Sequence, residues 1–193
     1  MSAVPSSANR LDQLITDHVR DVAAYCRWRC ANEDDAQDAV SEVFLVAWRR
    51  LSDVPDGDAA RVWLLATARR VVANERRARD RRIRLVERLR RVGPETVEWP
   101  VEVGSGEVGD ALRRLDPADR EILLLAEWEG LTSAEIGAVM GCLAVTARGR
   151  LHRARMRFRR AYQTCENAPA RLTTALPAMT TPPPSRLGRR SSG

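Results

Sequence analysis

Apolar residues in this chain return with the period of a helix, and turn residues cut that pattern into blocks. From Leu11 they recur at Leu14, Ile15, Val19, Val22, Ala23 and Cys26, the three-and-four spacing that lines one helix face. A second block is marked at both ends. Asn32 stands before it as a cap, Glu33, Asp34 and Asp35 fill a first turn where the dipole favours anions, and Arg49 and Arg50 close it. Its predicted buried stripe is Ala36, Ala39, Val40, Val43, Phe44, Ala47, Trp48 and Leu51, which leaves Asp38, Ser41 and Glu42 on another face. Pro55 and Gly57 break the pattern within residues 52–58. A third helix is predicted from near Ala59, with Val62, Trp63, Leu65, Ala66 and Val72 along its first half. It runs into an arginine-dense tract that ends at Arg91, before Gly93 and Pro94.

Residues 93–109 carry Gly104, Gly106 and Gly109 with little apolar periodicity and read as a flexible linker. Periodicity resumes at Ala111, Leu112 and Leu115. Asp116 is the expected cap of the next helix, Pro117 its first residue and Gly130 its stop. A short helix is predicted from Thr132, and a last one from about Ala144 to Gln163. Residues 1–9 and the Pro-, Thr- and Ser-rich stretch after Glu166 read as disordered. The expected architecture is all-α: two small helical domains, 10–92 and 110–165, joined by the linker 93–109 and followed by a tail at 166–193.

Composition sharpens this. Aromatics are only 5% and Ala, Leu, Arg and Glu dominate the middle of the chain, which favours helix over sheet. The net charge of +6 points to a polyanionic partner. No lysine occurs, so all 32 basic residues are arginine, whose planar fork suits phosphates and guanine edges. Cys26 and Cys30 are four apart, while Cys142 and Cys165 stand far from them and from each other. That is neither a disulfide framework nor the clustered set a zinc ion needs, so no metal is expected and the thiols read as those of a reduced, cytoplasmic protein. The N-terminus has no apolar run, and no stretch approaches the ~20 apolar residues of a membrane span. Neither a Gly-rich phosphate loop, nor a His–Glu metal pair on a helix, nor a nucleophile with a plausible base is present. No enzymatic activity and no cofactor are expected.

Residues 131–155 have the spacing of a helix-turn-helix. Thr132 with Glu135 makes a capping box, Gly137 is small where two helices must approach, Ile136 and Met140 face inward, and Gly141 suits a left-handed turn. Val145, Ala147 and Leu151 are the expected anchors of the second helix. Thr146, Arg148, Gly149, Arg150, His152 and Arg153 are left to meet or flank a DNA groove. The third helix differs: Trp63, paired arginines (Arg69 with Arg70, Arg76 with Arg77) and Asn74 are the equipment for gripping unstacked bases. The second helix, acidic on its exposed side, would be repelled by phosphate and suits a protein partner.

The run DAQDAVSEVFLVAW (35–48) resembles region 2.2 of bacterial RNA polymerase sigma factors, and VWLLATARRVVANERR (62–77) resembles their regions 2.3 and 2.4. The segment from Leu115 to Arg155 is similar to their region 4, with nothing like region 3 between the blocks. That layout is the extracytoplasmic-function group's. The resemblance implies a dissociable polymerase subunit. Asp38, Ser41 and Glu42 would bind the clamp of the polymerase β′ subunit. Arg70 and Asn74 would hold a flipped minus-ten base, supported by Trp63 and Arg69 and continued by Arg76 and Arg77. Thr146, Arg148, Gly149, Arg150, His152 and Arg153 would meet the minus-thirty-five element. An anti-sigma protein is an expected further partner. Three positions depart from the family pattern: Arg70 stands where many members have Asn, Leu143 replaces a capping Ser, and Gly149 replaces a common Ser. The rival reading is a free-standing helix-turn-helix repressor or activator whose N-terminal domain serves for dimerisation or sensing, but which would not need an acidic polymerase-facing helix followed by a Trp- and Arg-rich one.

Overall fold

In the computed structural model residues 7–90 and 106–166 are described, and among them every regular element is helical. Three helices form the first group: α1 (Ser7–Arg27), α2 (Glu33–Arg49) and α3 (Asp58–Arg90). α1 starts at Ser7, inside the stretch expected to be disordered. Asn32 caps α2 as expected, its side-chain oxygen accepting from the Asp35 amide at 2.7 Å. Arg10 pins the loop after α2 by donating to the carbonyls of Leu51 and Val54 at 3.0 and 2.6 Å.

The core of this group is built on small residues facing large ones. Ala36, Ala39, Val43 and Ala47 of α2 are buried, as are Val22, Tyr25 and Cys26 of α1 and Leu64, Leu65 and Ala68 of α3. Three alanines on α2 let the other helices pack closely against it. Burial pushes the Cys26 and Cys30 thiols up to about 12 and about 11, so both stay protonated. Trp48 does not join this core. It is 45% exposed, because its spacing from Ser41 and Leu45 puts it on their line of the helix rather than on the alanine face.

The second group holds α4 (Glu107–Arg113), α5 (Pro117–Leu123), α6 (Ser133–Met140) and α7 (Ala144–Glu166). α4 begins within the stretch expected as linker and buries Gly109, so the sparse apolar pattern there hid a short helix. The rest of the expected linker up to residue 105 lies outside the described residues, as do residues 91–92 and the tail after Glu166. Pro117 opens α5 as predicted, but Asp116 makes no side-chain cap bond. The corner is held by Arg120 instead. Its guanidinium donates to the carbonyls of Leu112, Arg113 and Leu115 at 2.8–3.1 Å, occupying the orphan end of α4. α5 then widens into a π-turn over Leu124–Trp128, closed by a bond from the Glu129 amide to the Leu124 carbonyl, and Gly130 ends it with φ +66°.

The two groups pack against each other, α3 against α6 and α1 against the α5 region. Glu121 is the hub of that contact. Its Oε1 accepts from the Tyr25 hydroxyl at 2.9 Å and from Arg69 Nε at 3.1 Å, with Arg29 Nε at 3.7 Å. The π-turn carries Trp128 edge-on to Trp28, ring centroids 5.3 Å apart. It also sets Glu129 on Arg61, which donates to the Glu129 carboxylate at 2.7 Å and to its carbonyl at 3.1 Å. Burial holds the Glu129 carboxyl above the usual range although Arg61 pulls the other way.

Candidate nucleic-acid and polymerase interfaces

α6 and α7 form a helix-turn-helix whose local rules are visible one by one. The capping box at Thr132 and Glu135 is complete, the Thr132 hydroxyl accepting from the Glu135 amide and Glu135 returning to the Thr132 amide at 2.7 Å. The Thr132 hydroxyl also donates to the Glu135 carboxylate at 2.6 Å, and this bond, with the one from the Thr132 amide, holds the Glu135 carboxyl below its ordinary value. Gly141 takes the left-handed turn at φ +69°. A Cβ on Gly137 would stand 2.6 Å from the Cys142 carbonyl oxygen and 3.3 Å from the Ala144 amide, so only glycine lets the turn close over α6.

α7 is anchored by Ala147, Leu151 and Ala154, all buried, with Phe158 packed beside them. Val145 is not an anchor. It is 69% exposed, because steps of four and three residues carry it onto the line of Gly149 and His152, opposite the anchors. Thr146, Arg148, Arg150, His152 and Arg153 are exposed, and Gly149 is half-buried with the Arg153 guanidinium 3.6 Å from where its Cβ would be. Among the described residues Arg148, Arg150 and Arg153 make no ion pair. Two later arginines do: Arg155 holds Glu127 at 2.7 Å and Arg157 holds Asp119, which ties α7 to the α5 region. The helix thus presents its first turns and fastens its later ones.

The six candidates on α3 divide between two faces. Trp63, Arg70, Asn74 and Arg77 stand seven, four and three residues apart, which puts them on one face. Trp63 is half-buried against the core, and the other three are exposed, with Asn74 accepting a hydrogen bond from Arg77. Arg69 and Arg76 fall on a different face, where with Val72 and Ala73 they line a cavity against Pro117, Ala118, Glu121 and Leu124 of the second group. Arg69 is held there by Glu121, a partner 52 residues away that local pattern does not reveal.

On α2, Asp38 and Ser41 are exposed and Glu42 is half-buried. Ser41 donates to the Gln37 carbonyl at 3.0 Å. The acidic field of Asp35, Asp38 and Glu42 adds to burial in raising the Glu75 carboxyl of α3. Two residues missed on this face are Leu45 and Trp48, 39% and 45% exposed. The face is a mixed apolar and acidic strip, and Leu45, apolar yet off the alanine stripe, was its signal. Among the described residues no group of three or more His, Cys, Asp or Glu side chains is placed to hold a metal ion, and no helix is long and apolar enough to cross a membrane.

The sequence matches the family described as Sigma-70 region 2 over residues 14–82 and that described as Sigma-70, region 4 over residues 105–158. It is 30% identical over 155 residues to the RNA polymerase sigma factor NccH of Alcaligenes xylosoxydans xylosoxydans, covering 76% of this chain and 83% of that one. It is 32% identical over 160 residues to the ECF RNA polymerase sigma factor SigC of Mycobacterium tuberculosis, covering 80% and 84%. Among solved structures the fold is similar to a chain in the complex of the sigma factor RpoE with the anti-sigma factor NepR from Bartonella quintana. The TM-score is 0.62 at 24% identity, over 79% of this chain and 96% of that one. It is also similar to a chain in the complex of CnrH with the cytosolic domain of CnrY, with a TM-score of 0.55 at 25% identity over 80% and 88%.

Proposed function

The chain belongs to the sigma-70 family of RNA polymerase sigma factors, in its extracytoplasmic-function group, and on that premise we propose how its exposed faces divide the work. A sigma factor binds core polymerase and directs it to promoters. The first helical group, 10–92, binds core enzyme and the minus-ten element; the second, 110–165, binds the minus-thirty-five element. α7 enters the major groove with Arg148, Arg150, Arg153, His152 and Thr146, over the small Gly149. The exposed arginines of its first turns, unopposed by carboxylates among the described residues and presented by a helix-turn-helix, are the observation that carries this reading. On α3 the stripe Trp63, Arg70, Asn74 and Arg77 meets unstacked minus-ten bases, and Arg69 and Arg76 join once the second group moves off them. Asp38, Ser41 and Glu42, with Leu45 and Trp48, dock on the clamp of the β′ subunit. The chain works in the cytoplasm by binding alone and makes no bonds of its own. An anti-sigma protein, as in the RpoE structure, is a further partner.

Permanganate footprinting on duplex and pre-melted promoters, with holoenzyme, tests the division. Arg148→Ala or Arg153→Ala weakens binding before strand opening, by ~1–3 kcal/mol for a lost base-edge pair. Arg70→Ala and Asn74→Ala bind closed promoter yet fail to melt it, and a bubble template rescues them because the unstacking cost of a few kcal/mol has been met. Normal melting by the Asn74 and Arg70 variants overturns the assignment of α3. Tight specific duplex binding by the free chain, unaffected by core enzyme, returns the protein to the repressor class.

A further inference from the structure

The entry to α7 breaks two local rules at once. Leu143 is its N-cap: the Leu143 carbonyl accepts the first helical bond, from Ala147 at 2.9 Å, but a leucine side chain offers the free amides nothing. Leu143 is also 73% exposed and Val145 69%, the two most exposed large apolar side chains among the described residues. A serine in the first position and almost any polar residue in the second would make a better-capped, better-solvated helix. Rules of this kind are broken where a side chain is needed for contact. Four observations limit what that contact is. The pair sits at the N-terminal end of the second helix of a helix-turn-helix, the end that meets base edges. Val145 shares its line with Gly149, whose missing side chain leaves room for a close approach, and with His152. Among the described residues the arginines around the pair, Arg148, Arg150 and Arg153, have no carboxylate partners, so the surrounding field favours a polyanion over an apolar protein surface. In the major groove of DNA the apolar feature within reach is the C5-methyl group of thymine.

We infer that Leu143 and Val145 form an apolar reader of thymine C5-methyl groups in duplex promoter DNA, so that the protein selects its upstream element partly by methyl contact. This rests on the assignment of α7 to the minus-thirty-five element and adds the chemical group it reads. The arginines supply phosphate and base-edge hydrogen bonds, and the apolar pair tells thymine from the other three bases.

The test separates the methyl from everything else on the base. A duplex pool randomised across the upstream element is made once with thymidine and once with deoxyuridine, which lacks only the C5-methyl. Each pool is selected with holoenzyme carrying the full chain, and bound sequences are counted. One or two positions should favour thymine about fourfold each in the first pool, the equivalent of ~0.8 kcal/mol for one buried methyl, and lose that preference in the second. L143S with V145S should show the same flattened preference in both pools while still binding core enzyme, and Leu143→Met should keep the discrimination. Equal preference for thymine and uracil in the native protein overturns the methyl reading and leaves the groove assignment standing. No base preference at any position of the element overturns both.

Discussion

The two arginine-rich helices, α3 and α7, look alike as sequence and differ as surfaces. On α7 the arginines of the first turns are exposed and unpaired among the described residues, and only Arg155 and Arg157 are tied down. On α3 Arg61, Arg69 and Arg79 are engaged by carboxylates: Asp21 and Glu129, Glu121, and Asp35 respectively. Positive charge on a helix is therefore not the same as positive surface. The first turns of α7 stay exposed, whereas part of α3 is covered by the group that carries α7. The second group covers the Arg69 and Arg76 face of α3 and leaves the Arg70, Asn74 and Arg77 face exposed.

The strongest way to break this comparison is to remove the hub. Glu121→Ala leaves Arg29, whose side chain is 7% exposed and whose Nη2 already has no partner, without its carboxylate. Uncovering a buried charge in this way costs ~3–5 kcal/mol in the closed arrangement. The variant should open, seen as a larger radius of gyration by X-ray scattering, and should bind single-stranded minus-ten DNA more tightly through Arg69. An unchanged radius would mean that Glu121 is not what holds the two groups together.

A middle-sized effect bears on α7 alone. Gly137→Ala forces the turn away from α6, because its Cβ would sit 2.6 Å from a backbone oxygen, and overpacking of this sort costs ~1–3 kcal/mol. Thermal unfolding and duplex binding should both suffer, while binding to a pre-melted bubble through α3 should change little. Equal loss on both templates would show that the two helices do not act separately.

The smallest effect sharpens how α6 is held. Thr132→Ala removes one side of the capping box and costs ~1 kcal/mol. It also changes the pH profile. The folded-state carboxyl of Glu135 is held low by Thr132, so its contribution is present above the unfolded value and is lost as pH falls through the folded value. The gap in Tm between native protein and variant should therefore be full at neutral pH and narrow below the carboxylate range. A gap independent of pH would mean that the Glu135 bond adds nothing.

Helix ends were the most legible part of the fold. Asn32, the Thr132–Glu135 box, Gly130 and Gly141 act within a few residues of themselves, so their spacing alone identifies them. The same holds for Pro117, though Asp116 makes no side-chain cap bond and the corner is held instead by Arg120 donating to the carbonyls that end α4. Trp48 and Val145 show where a pattern of apolar residues runs out. Both extend an apolar series by eye, yet each lies on the outer line of its helix, and only the packed neighbours show that no partner covers it. Leu45 and Leu143 went unassigned to any surface for the same reason.

The sequence by itself determined the local elements and the family. Periodicity, caps and breakers are short-range, and two separate motifs in the right order are specific. Only the tertiary structure decided which arginines are presented. The pairings of Arg69 with Glu121 and Arg61 with Glu129 join residues 52 and 68 apart. Whether a charged side chain meets solvent, DNA or a carboxylate depends on which surfaces the packing brings together, and one helix's own pattern carries no record of that.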